Sequence, residues 1–209
     1  SGKKILFVAT KKQAKDVIAE KAASVNMPYV AERWPGGMLT NFPTIRKAVK
    51  KMANIDKLTA DGTFSNLSKR EILQISRQRA KLEKNLGSIV DLTRLPAALF
   101  VVDVMKEHIA VKEAQRLGIP VFGIVDTNSD PNSVDYVIPA NDDAKDSISV
   151  ILDAVCGAVA EGLEERKAEK ADQDAAEKQE GEKAPRKRAA RARKEEEAPA
   201  AAETEASAE

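Results

Sequence analysis

Ala98-Leu99-Phe100-Val101-Val102-Asp103 is an unbroken run of apolar side chains closed by a carboxylate. A strand with one face in water alternates apolar and polar residues, so a continuous run describes a strand covered on both faces, the habit of parallel sheets. Ile5-Leu6-Phe7-Val8 and Val121 to Val125 read the same way, and Tyr136-Val137-Ile138 makes a fourth. Helical spacing fills the intervals. Ala14, Val17, Ile18, Lys21 and Val25 follow the first strand, Ile109 to Leu117 runs up to the stop at Gly118 and Pro120, and Ser147 to Val159 closes the series. Alternating strands and helices predict an α/β fold: a doubly wound, flavodoxin- or Rossmann-like parallel sheet.

Between Phe42 and Ile89 the period changes. Phe42, Ile45, Val49 and Met52, with Ile55 and Leu58 beyond, lie three or four apart and define a helix with a narrow apolar seam. A second helix announces its start with a capping box, Ser68 and Glu71, and with Leu67 and Ile72 at the positions of a hydrophobic staple. Its seam runs Ile72, Ile75, Arg79, Leu82, Leu86 and Ile89, and Asp61-Gly62 supplies the turn between the helices. Residues 42–89 are thus expected to form an antiparallel coiled-coil hairpin inserted into the sheet domain. The sides away from the seams are basic, with Arg46, Lys47, Lys50, Lys51 and Lys57 on the first helix and Lys69, Arg70, Arg77, Lys81 and Lys84 on the second. A rod of that kind suits an RNA backbone; a solvated coiled coil kept soluble by its charges is the alternative.

From Glu164 to Glu209 no large apolar side chain occurs, and such a composition cannot offset the entropy of ordering. The expected division is an α/β domain over residues 1–163 and a disordered, charged tail over 164–209. The chain of 209 residues has a net charge of +1, which averages two unlike parts. The tail carries 11 basic and 14 acidic residues, the body 23 and 19, so the body is mildly basic. In the tail the cluster Arg186-Lys187-Arg188 to Lys194 is followed by Glu195-Glu196-Glu197, and such blocks pair among themselves or stay solvated. One Cys, Cys156, excludes an internal disulfide, and with a single His, His108, a zinc centre is not expected. No apolar run has the length needed to cross a bilayer, and no secretory pattern opens the chain, so a soluble, cytosolic protein is expected.

The only Trp lies in Glu32-Arg33-Trp34-Pro35-Gly36-Gly37-Met38-Leu39-Thr40-Asn41-Phe42, between a short strand and the first hairpin helix. Neither a strand nor a helix period assigns Trp34 to a core. An Arg beside an exposed ring suits stacking on bases and contact with phosphate; the competing reading is a ring folded back over the domain. Lys11 and Lys12, read as the first turn of a helix, oppose its dipole, and a bound anion there would be favoured by both ammonium groups and by free backbone amides. That anion, a phosphate, could belong to RNA or to a nucleotide.

The stretch Glu32-Arg33-Trp34, with Gly36 to Phe42, resembles the central signature of the universal small-subunit ribosomal protein S-two family in its bacterial form. Agreement extends through Ile5 to Val8 with Thr10-Lys11-Lys12-Gln13-Ala14, Leu95-Pro96 with Ala98 to Asp103, Ala110-Val111-Lys112-Glu113-Ala114 with Leu117 to Val121, Ile124 to Asn128 with Asp130-Pro131, and Val134 to Pro139 with Asn141 to Ala144. It covers roughly residues 4 to 160. Pro35 stands where the family carries a larger aliphatic residue, and family members begin with several dozen further residues, so this chain is expected to lack the usual N-terminal segment. The resemblance implies a structural constituent of the small (30S) ribosomal subunit, cytoplasmic and ribosome-associated, and not an enzyme. The partners it implies are 16S-type rRNA and neighbouring small-subunit proteins, including the large multi-domain one that captures messenger RNA. No cofactor, metal, DNA or membrane is expected. The candidate RNA-binding residues are Lys11, Lys12, Gln13, Arg33, Trp34, Asn41, Arg46, Lys47, Lys50, Lys51, Lys69, Arg70 and Arg77.

The alternative is a nucleotide- or metal-dependent α/β enzyme. Asp103, Asp126 and Asp130 fall at or just after strand ends, where doubly wound sheets place catalytic groups, and Asp142 and Asp143 add carboxylates. Against it, the sequence has no Gly-Lys-Ser/Thr phosphate loop and no Gly-x-Gly-x-x-Gly turn after a strand. Asp126 to Pro131 reads as side chains bonding a tight turn, Asp142 as a cap for the closing helix, and His108 as a surface or capping residue.

Overall fold

The computed structural model describes residues 2–61 and 68–196, with side-chain surroundings given up to Ala171. Five strands, β1 (Ile5–Val8), β2 (Tyr29–Val30), β3 (Ala98–Val102), β4 (Val121–Val125) and β5 (Tyr136–Pro139), form one sheet in the order β2-β1-β3-β4-β5. Every pairing is parallel, with Leu6 opposite Leu99 and Phe100 opposite Phe122. The doubly wound fold expected from the unbroken apolar runs is present. β1 and β3 are neighbours with the chain leaving them toward opposite edges, which is the switch point where such sheets gather functional groups.

Alternation along the strands supplies two cores. Leu6, Val8, Leu99, Val101, Val121 and Val125 point toward α4 (His108–Leu117), where they meet Ala110, Val111 and Ala114. Phe7, Phe100 and Ile124 occupy the other face with Ile18 of α1 (Lys15–Ser24) and Ile148 and Leu152 of α5 (Lys145–Glu196), all at most 2% exposed. The Phe7 and Phe100 rings lie 5.4 Å apart and tilted, a favourable aromatic geometry. Gly123 is set by space: a Cβ there would stand 2.8 Å from Val104 Cγ2 and 3.1 Å from Val134 Cγ1. β5 is the exception to two-sided burial, with Tyr136 55% and Val137 41% exposed, because it is an edge strand.

Two helices stand where the hairpin was expected, α2 (Phe42–Ala60) and α3 (Lys69–Leu86). Asp56, late in α2, pairs with Arg79 just past the middle of α3, while Arg46 near the start of α2 reaches the carbonyls of Val90 and Leu92 beyond α3. The helices therefore run antiparallel. Val49, Met52 and Ile55 are buried along the α2 seam, and Leu58 is 46% exposed, so the seam closes before the helix does. At the other end Val49, Leu86 and Ile89 join the sheet's own core, which welds the base of the hairpin to the domain. Ser68 and Glu71 form the capping box in both directions. Leu67 and Gly62, the expected staple and turn residues, lie outside the described residues.

The chain divides into two units, residues 1–160 and 161–209. Leu163 is half-buried and every residue from Glu164 to Ala171 is exposed, so packing stops where the apolar side chains stop. α5 is described as far as Glu196. Ala, Glu, Lys and Arg are strong helix formers, and the exposed residues Glu164 to Ala171 lie in α5 on that propensity. Residues 197–209 of the expected tail lie outside the described residues.

Candidate nucleic-acid interface

Glu113 organises the signature loop. It projects from α4 and is 8% exposed. Its Oε1 accepts from Trp34 Nε1 at 3.1 Å and Gly37 N at 2.7 Å; its Oε2 accepts from Leu39 N at 2.9 Å, Thr40 N at 3.1 Å and Thr40 Oγ1 at 3.2 Å. Burial pushes this carboxyl up, but the bonds from Thr40, Leu39, Trp34 and Gly37 together outweigh it and hold Glu113 below its ordinary range. Gly37 adopts φ +82°, which turns the backbone amides toward one carboxylate.

That geometry decides between the two readings of Trp34. The ring is 7% exposed, packed in the core beneath the loop, so it does not stack on bases. The expectation of an exposed ring is corrected: the indole N–H found a buried acceptor 79 residues away, which no local period could reveal. Arg33 remains exposed. Asn41 precedes α2 and accepts from Thr44 Oγ1 at 2.8 Å, at the surface. Sequence reasoning missed Glu113, although a signal was there. A carboxylate on the same helical face as Ala110 and Ala114 must find donors.

Lys11 is corrected as well. α1 begins at Lys15, and Lys11 opens a preceding turn in which its carbonyl accepts from Ala14 N and Lys15 N. Its ammonium faces inward at the carboxyl end of the sheet, 2.7 Å from Asp142, 2.6 Å from Asp143 and 3.4 Å from Asp103. Burial pulls Lys11 down, but these carboxylates outweigh it and raise it above its ordinary value. Three acids on one cation leave nothing for an external phosphate. Lys12 and Gln13 stay exposed in the turn.

Asp103, Asp142 and Asp143 thus do converge with Asp126, as the enzyme reading required. Asp103 holds φ +66° and accepts from Lys106 N, which keeps its other oxygen toward Lys11. Oxygens of Asp126, Asp142 and Asp143 lie within 4.8 Å of one another, a spacing that can hold a cation, although Lys11 already supplies positive charge there. Burial raises the Asp142 carboxyl, Lys11 opposes it, and Asp103 and Asp126 add to the rise. Asp142 is 1% exposed and does not cap α5; the cap-like bonds come from Asn141 Oδ1, which accepts from Asp143 N and Ala144 N. Asp130 lies apart and bonds Asn132 N within its own turn, as Asp126 does Thr127 N. Cys156 is buried, and burial pushes its thiol up, which disfavours the thiolate.

The hairpin keeps most of its expected cations outside. Lys47, Lys50, Lys51, Lys69, Arg70 and Arg77 are all exposed and make no ion pair among the described residues. Arg46 differs, since its guanidinium donates to Val90 and Leu92 carbonyls and clasps the hairpin base. Three of the hairpin's acids are engaged, Asp56 and Glu83 with Arg79 and Glu71 in the capping box, while Asp61 at the end of α2 is exposed. Cations without local partners remain available to polyanions.

A family model described as ribosomal protein S2 matches residues 1–162. Proteins named small ribosomal subunit protein uS2 are similar over most of the chain. That of Phocaeicola vulgatus is 85% identical over 172 residues, 82% of this chain and 62% of the relative. That of Bacteroides thetaiotaomicron is 83% identical over the same shares, and that of Flavobacterium johnsoniae 72% identical over 81% of this chain and 67% of its own length. The chain therefore spans about 62% of the length of the first relatives it matches. Among the described residues no helix is long and apolar enough to cross a membrane.

Proposed function

This chain belongs to the ribosomal protein S2 family, and on that premise we propose that it is a structural, non-catalytic component of the small ribosomal subunit. The observation that carries the reading is its 85% identity to a protein named for that subunit. Its role is placement. Lys47, Lys50, Lys51, Lys69, Arg70 and Arg77 grip the rRNA backbone from the hairpin, and Arg33, held by the Glu113-bound loop, adds a contact beside its base. Lys12, Gln13 and Asn41 complete the candidate surface. Neighbouring subunit proteins, including the large one that captures messenger RNA, follow from kinship, as does a cytoplasmic, ribosome-bound location. Sedimentation of native extract at moderate and at high salt, with this chain followed by mass spectrometry, tests the reading. Comigration with the small subunit under both conditions is expected; migration as a free protein under both would overturn it.

A further inference from the structure

α4 turns both of its acids inward. Glu107, before its first residue, is 3% exposed and accepts from Thr10 N at 3.0 Å and from the Thr10 hydroxyl, while Glu113 is consumed by the signature loop. What remains outside is basic. His108, Lys112 and Arg116 are exposed and spaced four apart, so they form one stripe, with the Lys112 and Arg116 charges carried about 6 Å apart along the axis. Neither Lys112 nor Arg116 makes an ion pair among the described residues. Thr40 of the signature loop, Ile109 and Glu113 line a shallow depression with the three basic residues, so loop and helix present one continuous surface; the Glu113 carboxylate there is already taken up by the loop donors.

We infer that the outer face of α4, carried by His108, Lys112 and Arg116 beside Thr40, is a second RNA-backbone contact, separate from the hairpin. The inference rests on the RNA-binding function proposed above. Charge complementarity selects the occupant: Lys112 and Arg116, two cations with no ion-pair partner among the described residues, fit a line of phosphates, and the exposed large apolar side chains of α4, Ile109 and Leu117, stand eight positions apart. Arg116 offers a fork to two phosphate oxygens and Lys112 a point charge. The fixed helix holds both in place, because Glu113 ties it to the loop and Glu107 ties it to β1's end.

The test uses the full chain carrying Lys112→Gln and Arg116→Gln, with protein-free small-subunit rRNA as the probe. Binding is measured from about 50 to 200 mM salt, where each lost phosphate contact lowers the salt slope by roughly one. The slope is expected to shrink by about two, so that the affinity lost across this range is about tenfold smaller than for the parent. Melting temperature and Trp34 emission are expected to stay at parental values. A second variant, Lys47, Lys50 and Lys51 each to Gln, separates the two ideas. If it lowers the slope while the α4 variant does not, the α4 surface is refuted and the hairpin reading stands. Absence of salt-dependent binding by the parent would refute both. An α4 effect on association with isolated small-subunit proteins, without one on RNA, would assign this face to a protein and overturn the inference.

Discussion

Glu113→Gln deprives two of the five donors that hold the signature loop of their acceptor. The two carboxylate oxygens divide five donors, and an amide keeps only one oxygen, so its NH2 group must face N–H donors whichever way it turns. In the better orientation Trp34 Nε1 and Gly37 N lose their acceptor, at about 1 to 3 kcal/mol each. The surviving bonds lose the charge that makes such bonds roughly twice as strong as neutral ones. Gly37 and Thr40 are partly solvated, so water recovers some of this, and the expected loss is about 3 kcal/mol. In a domain of this size that lowers Tm by about 6 to 12 °C. Trp34 is the only tryptophan, so its emission reports on the loop directly and should shift to the red before circular dichroism records global unfolding. The acid dependence carries a sign. The folded carboxyl lies below its ordinary value of 4.5, so its contribution is fully present above that value and is lost as pH falls through the folded one. The parent should therefore approach the variant in acid. A variant melting within about 2 °C of the parent at neutral pH, with unshifted emission, would refute the reasoning.

Lys11→Met should destabilise by about 3 to 5 kcal/mol near neutral pH, as removal of one member of a buried charge cluster does; protonation of the stranded Asp142, whose carboxyl burial already raises, should shrink the deficit in mild acid, and a pH-independent deficit in chemical denaturation would contradict the ion cluster. Gly123→Ala should cost about 1 to 3 kcal/mol by overpacking against Val104 and Val134, and a neutral result in the same denaturation assay would show that both valines yield. Ending the chain after Leu163 should leave the calorimetric transition unchanged, because the described side chains from Glu164 to Ala171 are exposed; a drop of several degrees would move the domain boundary.

Features governed by neighbours in sequence were legible. Unbroken apolar runs marked the strands of a parallel sheet, and Ser68 with Glu71 marked the start of α3 to the residue, because a capping box is closed within one turn. Features governed by distant partners were not. Trp34 was placed by Glu113, and Lys11 by Asp142, 131 residues away, so the first lost its exposed ring and the second its phosphate. Arg46 looked like its lysine neighbours on the helix and was separated from them only by the carbonyls beyond α3. Glu164 to Ala171 separate two properties that composition carries: absence of apolar residues tells of absent packing, and all eight are exposed, while helix propensity places them in α5.

Charge illustrates why a count along the sequence understates this surface. The polar or charged residues buried among those described are Asp103, Glu107, Glu113 and Asp142, all acids. Only one cation, Lys11, is drawn inward to meet them; Glu107 and Glu113 are satisfied by hydroxyl, indole and backbone donors that carry no charge. Each such acid subtracts from the formal net charge without subtracting from the positive exterior, so the domain shows more basic surface than its small excess of Lys and Arg implies. The same bonds fix where that surface lies. Glu113 immobilises the loop bearing Arg33 and the helix bearing Lys112 and Arg116 in one step, and a polyanion bound there as proposed would meet cations whose positions are already set, with less ordering left to do on binding.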